Sequence, residues 1–178
     1  MVSSELIVCY ILKIEISFKR LTEIKRSEIM ELMNNQLVRR EMPLLAGDFT
    51  QSDCDKFIAA KESMWREHGY GPWAFIVNGQ FAGWGGLQPE EGEAGLALVL
   101  HPKYWGIGKV LYRKFIKTAF DEMGLKSVTV LFPLSRTRIK GFLRLGFKRD
   151  CELIVRNKSF IKYKLERSSG YESIVKKN

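Results

Sequence analysis

The chain of 178 residues predicts an α+β fold, one domain on a mixed central sheet of about six to seven strands with about four helices. Three observations carry this reading. The apolar periodicity switches between helical and alternating along the chain, in the order β-α-α-β-β-β-α-β-α-β-β. Asn78-Gly79 separates two apolar runs, the strongest short hairpin signal, because both residues tolerate positive φ. An apolar run from Ala94 to Leu100 stops at His101-Pro102, and a glycine-bearing loop then leads into a helix. Proline ends the run because it lacks the amide donor a strand needs.

The elements follow in order. Residues 14–21 alternate apolar and polar, as a first strand does; residues 1–13 read as a leader or extension, and the domain runs over 14–166. Ser27 to Arg40 places Ile29, Met30, Leu32, Met33, Leu37 and Val38 on one helical face, with Ser27 as the cap and Pro43 beyond the end. Thr50-Gln51-Ser52-Asp53 opens a second helix that runs to His68. Pro72–Val77 and Gln80–Leu87 form the hairpin, and Gly83, Gly85 and Gly86 thin its second strand, which points to a bulge or a close approach. Pro89 to Gly92 is a turn, in which Glu90 and Glu91 are solvated.

The helix over 108–123 puts Leu111, Phe115 and Ala119 on one stripe, with Lys109, Arg113 and Lys117 on the wet face. Ser127–Phe132 is a strand closed by Pro133. Ser135 caps a further helix with Ile139, Phe142, Leu143 and Leu145 inward, and strands follow near Cys151–Val155 and Phe160–Leu165. Residues 167–178 form a polar tail.

Composition narrows the class. No stretch of about 18 apolar residues exists, so no membrane span is expected. The start is broken by Glu5, Lys13 and Glu15 and has no basic leading region, so no signal peptide is expected. Cys9, Cys54 and Cys151 are far apart and odd in number, which fits a reducing, cytoplasmic setting without a disulfide framework. With His68 and His101 as the only histidines and no Cys-x-x-Cys, no metal site is expected. The net charge of +9 is uneven: residues 138–178 carry +8 and residues 1–137 carry +1. That quarter suits an anionic cofactor, a nucleic acid, an acidic partner, or plain solvation.

The corner after Leu100 bears chemistry. A helix start leaves amide donors free and carries partial positive charge, which suits a phosphate or pyrophosphate. Glycines let a ligand approach bare backbone; they also serve turns that need their dihedrals. Lys109 stands in the first helical turn, where a cation is unfavourable unless an anion sits there. Lys103, Lys109 and Arg138 are candidates for phosphate contact.

The run Lys103-Tyr104-Trp105-Gly106-Ile107-Gly108-Lys109-Val110-Leu111 resembles the acyl-CoA loop of the GCN5-related N-acetyltransferase (GNAT) superfamily, Arg/Gln-x-x-Gly-x-Gly/Ala. Lys103 takes the Arg/Gln place with Gly106 and Gly108 as glycines; alternatively Trp105 takes it, with Gly108 and Val110 following. Pro133 to Phe147 resembles the family's segment ending in Leu-Gly-Phe, here Leu145-Gly146-Phe147. The resemblance covers roughly residues 14–166, and the element order is the family's own.

The resemblance implies a GNAT fold, acetyl-CoA (CoA) as cofactor, and acetyl transfer to a primary amine by direct attack in a ternary complex. It implies that Lys103, Trp105, Gly106, Ile107, Gly108, Lys109 and Val110 form the cofactor loop; Arg138 stays a candidate for phosphate contact or a solvated charge. Backbone groups of Leu98, Val99 and Leu100 would pair with the pantetheine amides as an added strand would. Ser135 takes the place of an asparagine that helps hold the pantetheine arm, and Phe142 that of a tyrosine which often serves as general acid. Phenylalanine has no proton to give. An attacking amine must lose a proton; Glu93 and His101 are candidates for that, and Tyr104 for proton donation. Trp65, Trp73 and Trp84 serve either the acceptor cleft or the core. The acceptor is a small-molecule, peptide or protein amine, and the chain a monomer or homodimer. A nucleic-acid-associated or regulatory module of the same fold, including a toxin-like transferase acting on charged tRNA, is the alternative that the basic quarter raises.

Overall fold

The computed structural model describes residues 7–9, 14–90, 93–137 and 139–168. The strands are β1 (Ile7–Cys9), β2 (Ile14–Lys19), β3 (Trp73–Val77), β4 (Gln80–Glu90), β5 (Glu93–Leu100), β6 (Ser127–Pro133), β7 (Lys148–Val155) and β8 (Lys158–Glu166). The helices are α1 (Arg26–Asn34), α2 (Gln36–Arg40), α3 (Gln51–His68), α4 (Gly108–Lys117) and α5 (Lys140–Arg144). One sheet takes the order β1-β2-β3-β4-β5-β6-β8-β7. Every neighbouring pair is antiparallel except β5 with β6, which are parallel. The seven strands from Ile14 onward are those the periodicity predicts.

Alternation along the strands builds two apolar layers. On β3, Trp73, Phe75 and Val77 join one cluster and Ala74 and Ile76 the other, as a period of two requires. The first layer lies beneath α4 and α5 and includes Leu96, Leu111, Phe115, Ile116, Val130 and Phe147. The second lies beneath α1–α3 and includes Ile29, Leu32, Met33, Cys54, Ile58 and Trp84.

Local chemistry explains most boundaries. Thr50 and Asp53 form a reciprocal capping box at the start of α3, with Asp53 N donating to Thr50 Oγ1 at 3.3 Å and Thr50 N to Asp53 Oδ2 at 2.9 Å. Asn78 (φ 48°) and Gly79 (φ 79°) make the predicted turn, with Val77 opposite Gln80.

Several boundaries differ from expectation. The helix expected over Ser27–Arg40 is two helices, because the Asn35 side chain accepts from Leu37 N at 3.0 Å and from Val38 N at 3.4 Å and so starts α2 afresh. Ser27 lies inside α1, whose cap position is Lys25. Ser135 is not at the cap position of α5, which is Ile139: Arg136 N donates to Pro133 O at 3.0 Å, which makes a turn there, and α5 begins only at Lys140. Leu143 is exposed rather than inward.

Two glycines of β4 leave no room for a side chain against β5. A Cβ on Gly83 would meet the carbonyl oxygen of Val99, and one on Gly85 that of Ala97; both glycines also have φ near 150°, at +152° and +154°. Gly85→Ala is therefore expected to cost about 2 kcal/mol or more, from backbone strain and forced separation of the strands, read as a lower urea midpoint. A midpoint equal to wild type would show that the strands separate freely.

Candidate active site

Pairing around β5 is lopsided. Toward β4 it is complete, from Gly83 opposite Leu100 to Glu90 opposite Glu93. Toward β6 the ladder has one pair, Gly95 with Thr129. Beyond that rung no further pair forms between Leu96–Leu100 of β5 and Val130–Pro133 of β6, and this unladdered stretch toward their C-terminal ends is the fork. Trp105 Nε1 donates to Leu100 O at 3.0 Å, so that carbonyl faces the fork edge. By the two-residue period Leu98 turns its peptide groups to the same edge.

The chain after Leu100 is helical throughout. Pro102–Ile107 forms a 3-10 helix that runs directly into α4, where an open loop was expected. His101 caps it: His101 Nδ1 accepts from Lys103 N at 3.3 Å and His101 O from Tyr104 N at 2.8 Å. The side chains of Lys103 and Tyr104 are turned to the β3–β4 hairpin, donating to Gln80 Oε1 at 3.1 Å and 2.9 Å. Neither Gly106 nor Gly108 is among the positive-φ residues, and Gly108 is plainly helical at φ −53°. A Cβ on Gly106 would meet nothing within 4 Å, and one on Gly108 only Leu100 Cδ1 at 3.9 Å. Backbone geometry and packing therefore do not require glycine here, and bare backbone is left facing outward.

The opposite flank of the fork is aromatic. Phe142 on α5 packs edge-on against Tyr112 of α4 at 4.6 Å and Phe132 of β6 at 4.5 Å between centroids. The Arg136 guanidinium lies over Phe132, 4.4 Å from its centroid, and pairs with Glu41 at 3.2 Å. Burial pushes the Tyr112 hydroxyl well above its ordinary range, with the Arg136 charge pulling partly back.

The predicted residues separate into two groups. Leu98–Leu100, His101, Lys103–Val110 and Ser135 all lie at the open end of the fork, by strand direction. Arg138 lies outside the described residues. Glu93 is at the other end of β5, roughly 23 Å along the strand from Leu100. Its carboxylate is held by the ammonium groups of Lys162 and Lys164 on β8, the latter at 2.9 Å. Those hydrogen bonds, Lys162 first, hold its carboxyl below the usual carboxylate range and raise both lysines. Trp73 and Trp84 are buried in the core, and Trp65 donates to Pro72 O at 3.0 Å.

Glu90 was expected in a solvated turn; it is the last residue of β4, half-buried, with its carboxyl group lying against Gly95. Glu91 lies outside the described residues. No signal in the sequence marked Glu90, since its placement depends on register across the hairpin and on a glycine five residues on.

A sequence model of the acetyltransferase (GNAT) domain matches residues 16–136. The chain belongs to the GNAT family. Solved structures share its fold: a GNAT-family acetyltransferase from Bacillus anthracis at 16% identity, with TM-score 0.67, covers 86% of this chain and 96% of its own. A GCN5-related N-acetyltransferase from Brucella melitensis follows at 11% identity and TM-score 0.68, covering 93% and 80%. An uncharacterized Bacillus halodurans protein matches at 13% identity and TM-score 0.71, over 96% and 94%. Among curated proteins no sequence matches this GNAT chain. Among the described residues, no helix is long and apolar enough to cross a membrane.

The ion pairs at Glu93 predict a pH dependence. The carboxyl is lowered, so its contribution is present above the ordinary carboxylate value and is lost as pH falls through the depressed one. Glu93→Gln should lower the urea midpoint at pH 7, with the difference from wild type closing in acid. A gap that persists undiminished at pH values where carboxylates are protonated would contradict this.

Proposed function

We propose that this GNAT protein is an acetyl-CoA-dependent N-acetyltransferase of the cytoplasm that acts on a primary amine by direct attack in a ternary complex. The observation that carries the reading is the fork between β5 and β6 beside a helix start whose glycines serve no internal need. In the helical run that starts at Pro102, Gly106 and Gly108 offer small size and bare backbone, with Ile107 and Val110 beside them, and Lys109 offers a cation to a pyrophosphate. Leu98–Leu100 offer an unpaired strand edge to the amides of the pantetheine arm. Ser135, in the turn after β6, offers a hydroxyl from the other flank.

When bound, acetyl-CoA supplies an acetyl group activated as a thioester. The protein's part is to hold the two reactants in register, to keep water out and to receive a proton. Phe142 takes no part in proton transfer; it packs the aromatic flank. Direct attack is favoured over an acyl-enzyme because the two described cysteines sit elsewhere: Cys54 is buried in the second layer, where burial pushes its thiol up, and Cys151 is exposed on β7. The nucleic-acid reading has weaker support, since Lys162 and Lys164 are paired with Glu93 and Arg149 with Glu152 at 3.2 Å.

Two substitutions test the corner. Gly108→Ala should stabilise the free protein by about 0.5–1 kcal/mol, because alanine suits a helix better, and weaken CoA binding by calorimetry. Gly106→Glu should fold normally and lose saturable CoA binding. Wild-type CoA affinity in a folded Gly106→Glu protein would overturn the assignment.

A further inference from the structure

β5 has two faces at the fork. Leu96, Leu98 and Leu100 pack into the layer under α4. Gly95, Ala97 and Val99 alternate to the other face, where Val99 packs with the layer under α1–α3. The bare helix start belongs to the first side, and Glu90 stands on the second.

Glu90 is set at a particular point there. Gly95 has no side chain, and the carboxyl group of Glu90 fills the place where a Cβ would stand. Gly95 is also the residue of the single rung to Thr129, so the carboxylate lies where the unladdered stretch between β5 and β6 begins. Gln88 Nε2 donates to Glu90 Oε1 at 3.1 Å, and Lys61 Nζ of α3 donates to Gln88 Oε1 at 2.9 Å. Lys61 is itself seated 5.2 Å from the Trp84 centroid and 5.7 Å from that of Phe57. Lys61 therefore holds Gln88, and Gln88 orients the carboxylate.

A cleft of about 860 Å³ runs from this point between α3, the β4–β5 hairpin and the segment that leads into β6, a volume within the range of small-molecule sites. Ala60, Met64, Tyr70 and Leu125 give it an apolar wall, and Glu90 lines it as well. Glu67 and Glu93 also line it, against Lys126 and His68; Glu93 is already committed to Lys162 and Lys164.

We propose that this cleft is the acceptor pocket, that it takes a primary ammonium on an apolar stem, and that Glu90 holds the ammonium and receives one of its protons. The inference rests on the acyl-transfer reading above. It follows from placement: a group entering from the α4 side and one entering from the α3 side can meet only where the sheet is unpaired, and the carboxylate lies at the rung where that stretch begins. An ammonium is no nucleophile. On transfer, one N–H bond breaks and one carboxyl O–H bond forms. The nitrogen keeps the electron pair and is then able to attack.

The test uses the full chain, n-hexylamine as probe and 1-hexanol as the uncharged control. Calorimetry should show saturable hexylammonium binding to the wild type, stronger than hexanol binding, and CoA thiol should be released when acetyl-CoA is added. Glu90→Gln should weaken hexylammonium binding about ten-fold or more and slow thiol release about 100-fold or more, with CoA affinity unchanged. Gly95→Ala should do the same by pushing the carboxylate aside; the colliding group is the free end of a flexible side chain, so the melting temperature should hold. Hexylammonium binding no tighter than hexanol, or wild-type binding and turnover in Glu90→Gln, would overturn the proposal. If CoA still binds the wild type in that event, the acceptor assignment falls alone. If CoA does not bind, the transfer reading falls and this assignment with it.

Discussion

The rest of the structure depends on one strand being held hard on one edge and released on the other. β5 is paired with β4 along its whole length, past Gly83 and Gly85, where side chains would collide with its backbone. Against β6 it keeps a single rung. Unpaired strand edges are costly when buried and adhesive when exposed, so such an opening persists only where something else satisfies the peptide groups. At the top of β5 the chain provides one partner itself, the Trp105 indole on Leu100 O. Lower down, an extended ligand with amide groups has the chemistry to do the same.

The fork is closed at its base. Below the rung at Gly95, Glu93 reaches across β6 to Lys162 and Lys164 of β8, tying together strands that are not neighbours. The two apolar layers then cover opposite faces, one under α4 and α5 and the other under α1–α3. The opening therefore has two distinct approaches, one past the helix start and one past α3. A reaction between two bound molecules needs such separate approaches, and a fully laddered sheet would have none.

Much of this was legible where the cause is local. Asn78-Gly79 and the helix start at Thr50–Asp53 act through their own backbone and a few neighbours, and the structure has the turn and the helix start as read. Helical and alternating periods placed every strand from Ile14 onward. Asn35 was missed because its side chain competes with a helix that the apolar pattern alone would continue. Ser135 was misread because Pro133 can be followed by a turn as readily as by a helix. The helical course of Pro102–Ile107 was hidden by Gly106 and Gly108, which suggest an open loop. The fork and the position of Glu90 were not legible at all. They arise from pairing between segments far apart in sequence, and no residue type announces a rung that fails to form.

Ion pairs also bracket the opening at its far end, where Arg136 after β6 meets Glu41 at the end of α2. This contact ties the α1–α3 layer to the β6 flank, as Glu93 ties β5 to β8. Both partners are partly exposed, at 27% and 45%, and exposed pairs are worth about 0–1 kcal/mol. Such a contact is too weak to set the width of the fork against the packing of Phe132 and Phe142 beneath it. Width is instead set by covalent and steric facts: the glycines of β4, the rung at Gly95 and the aromatic wedge on the other side. The ion pair can break at little cost.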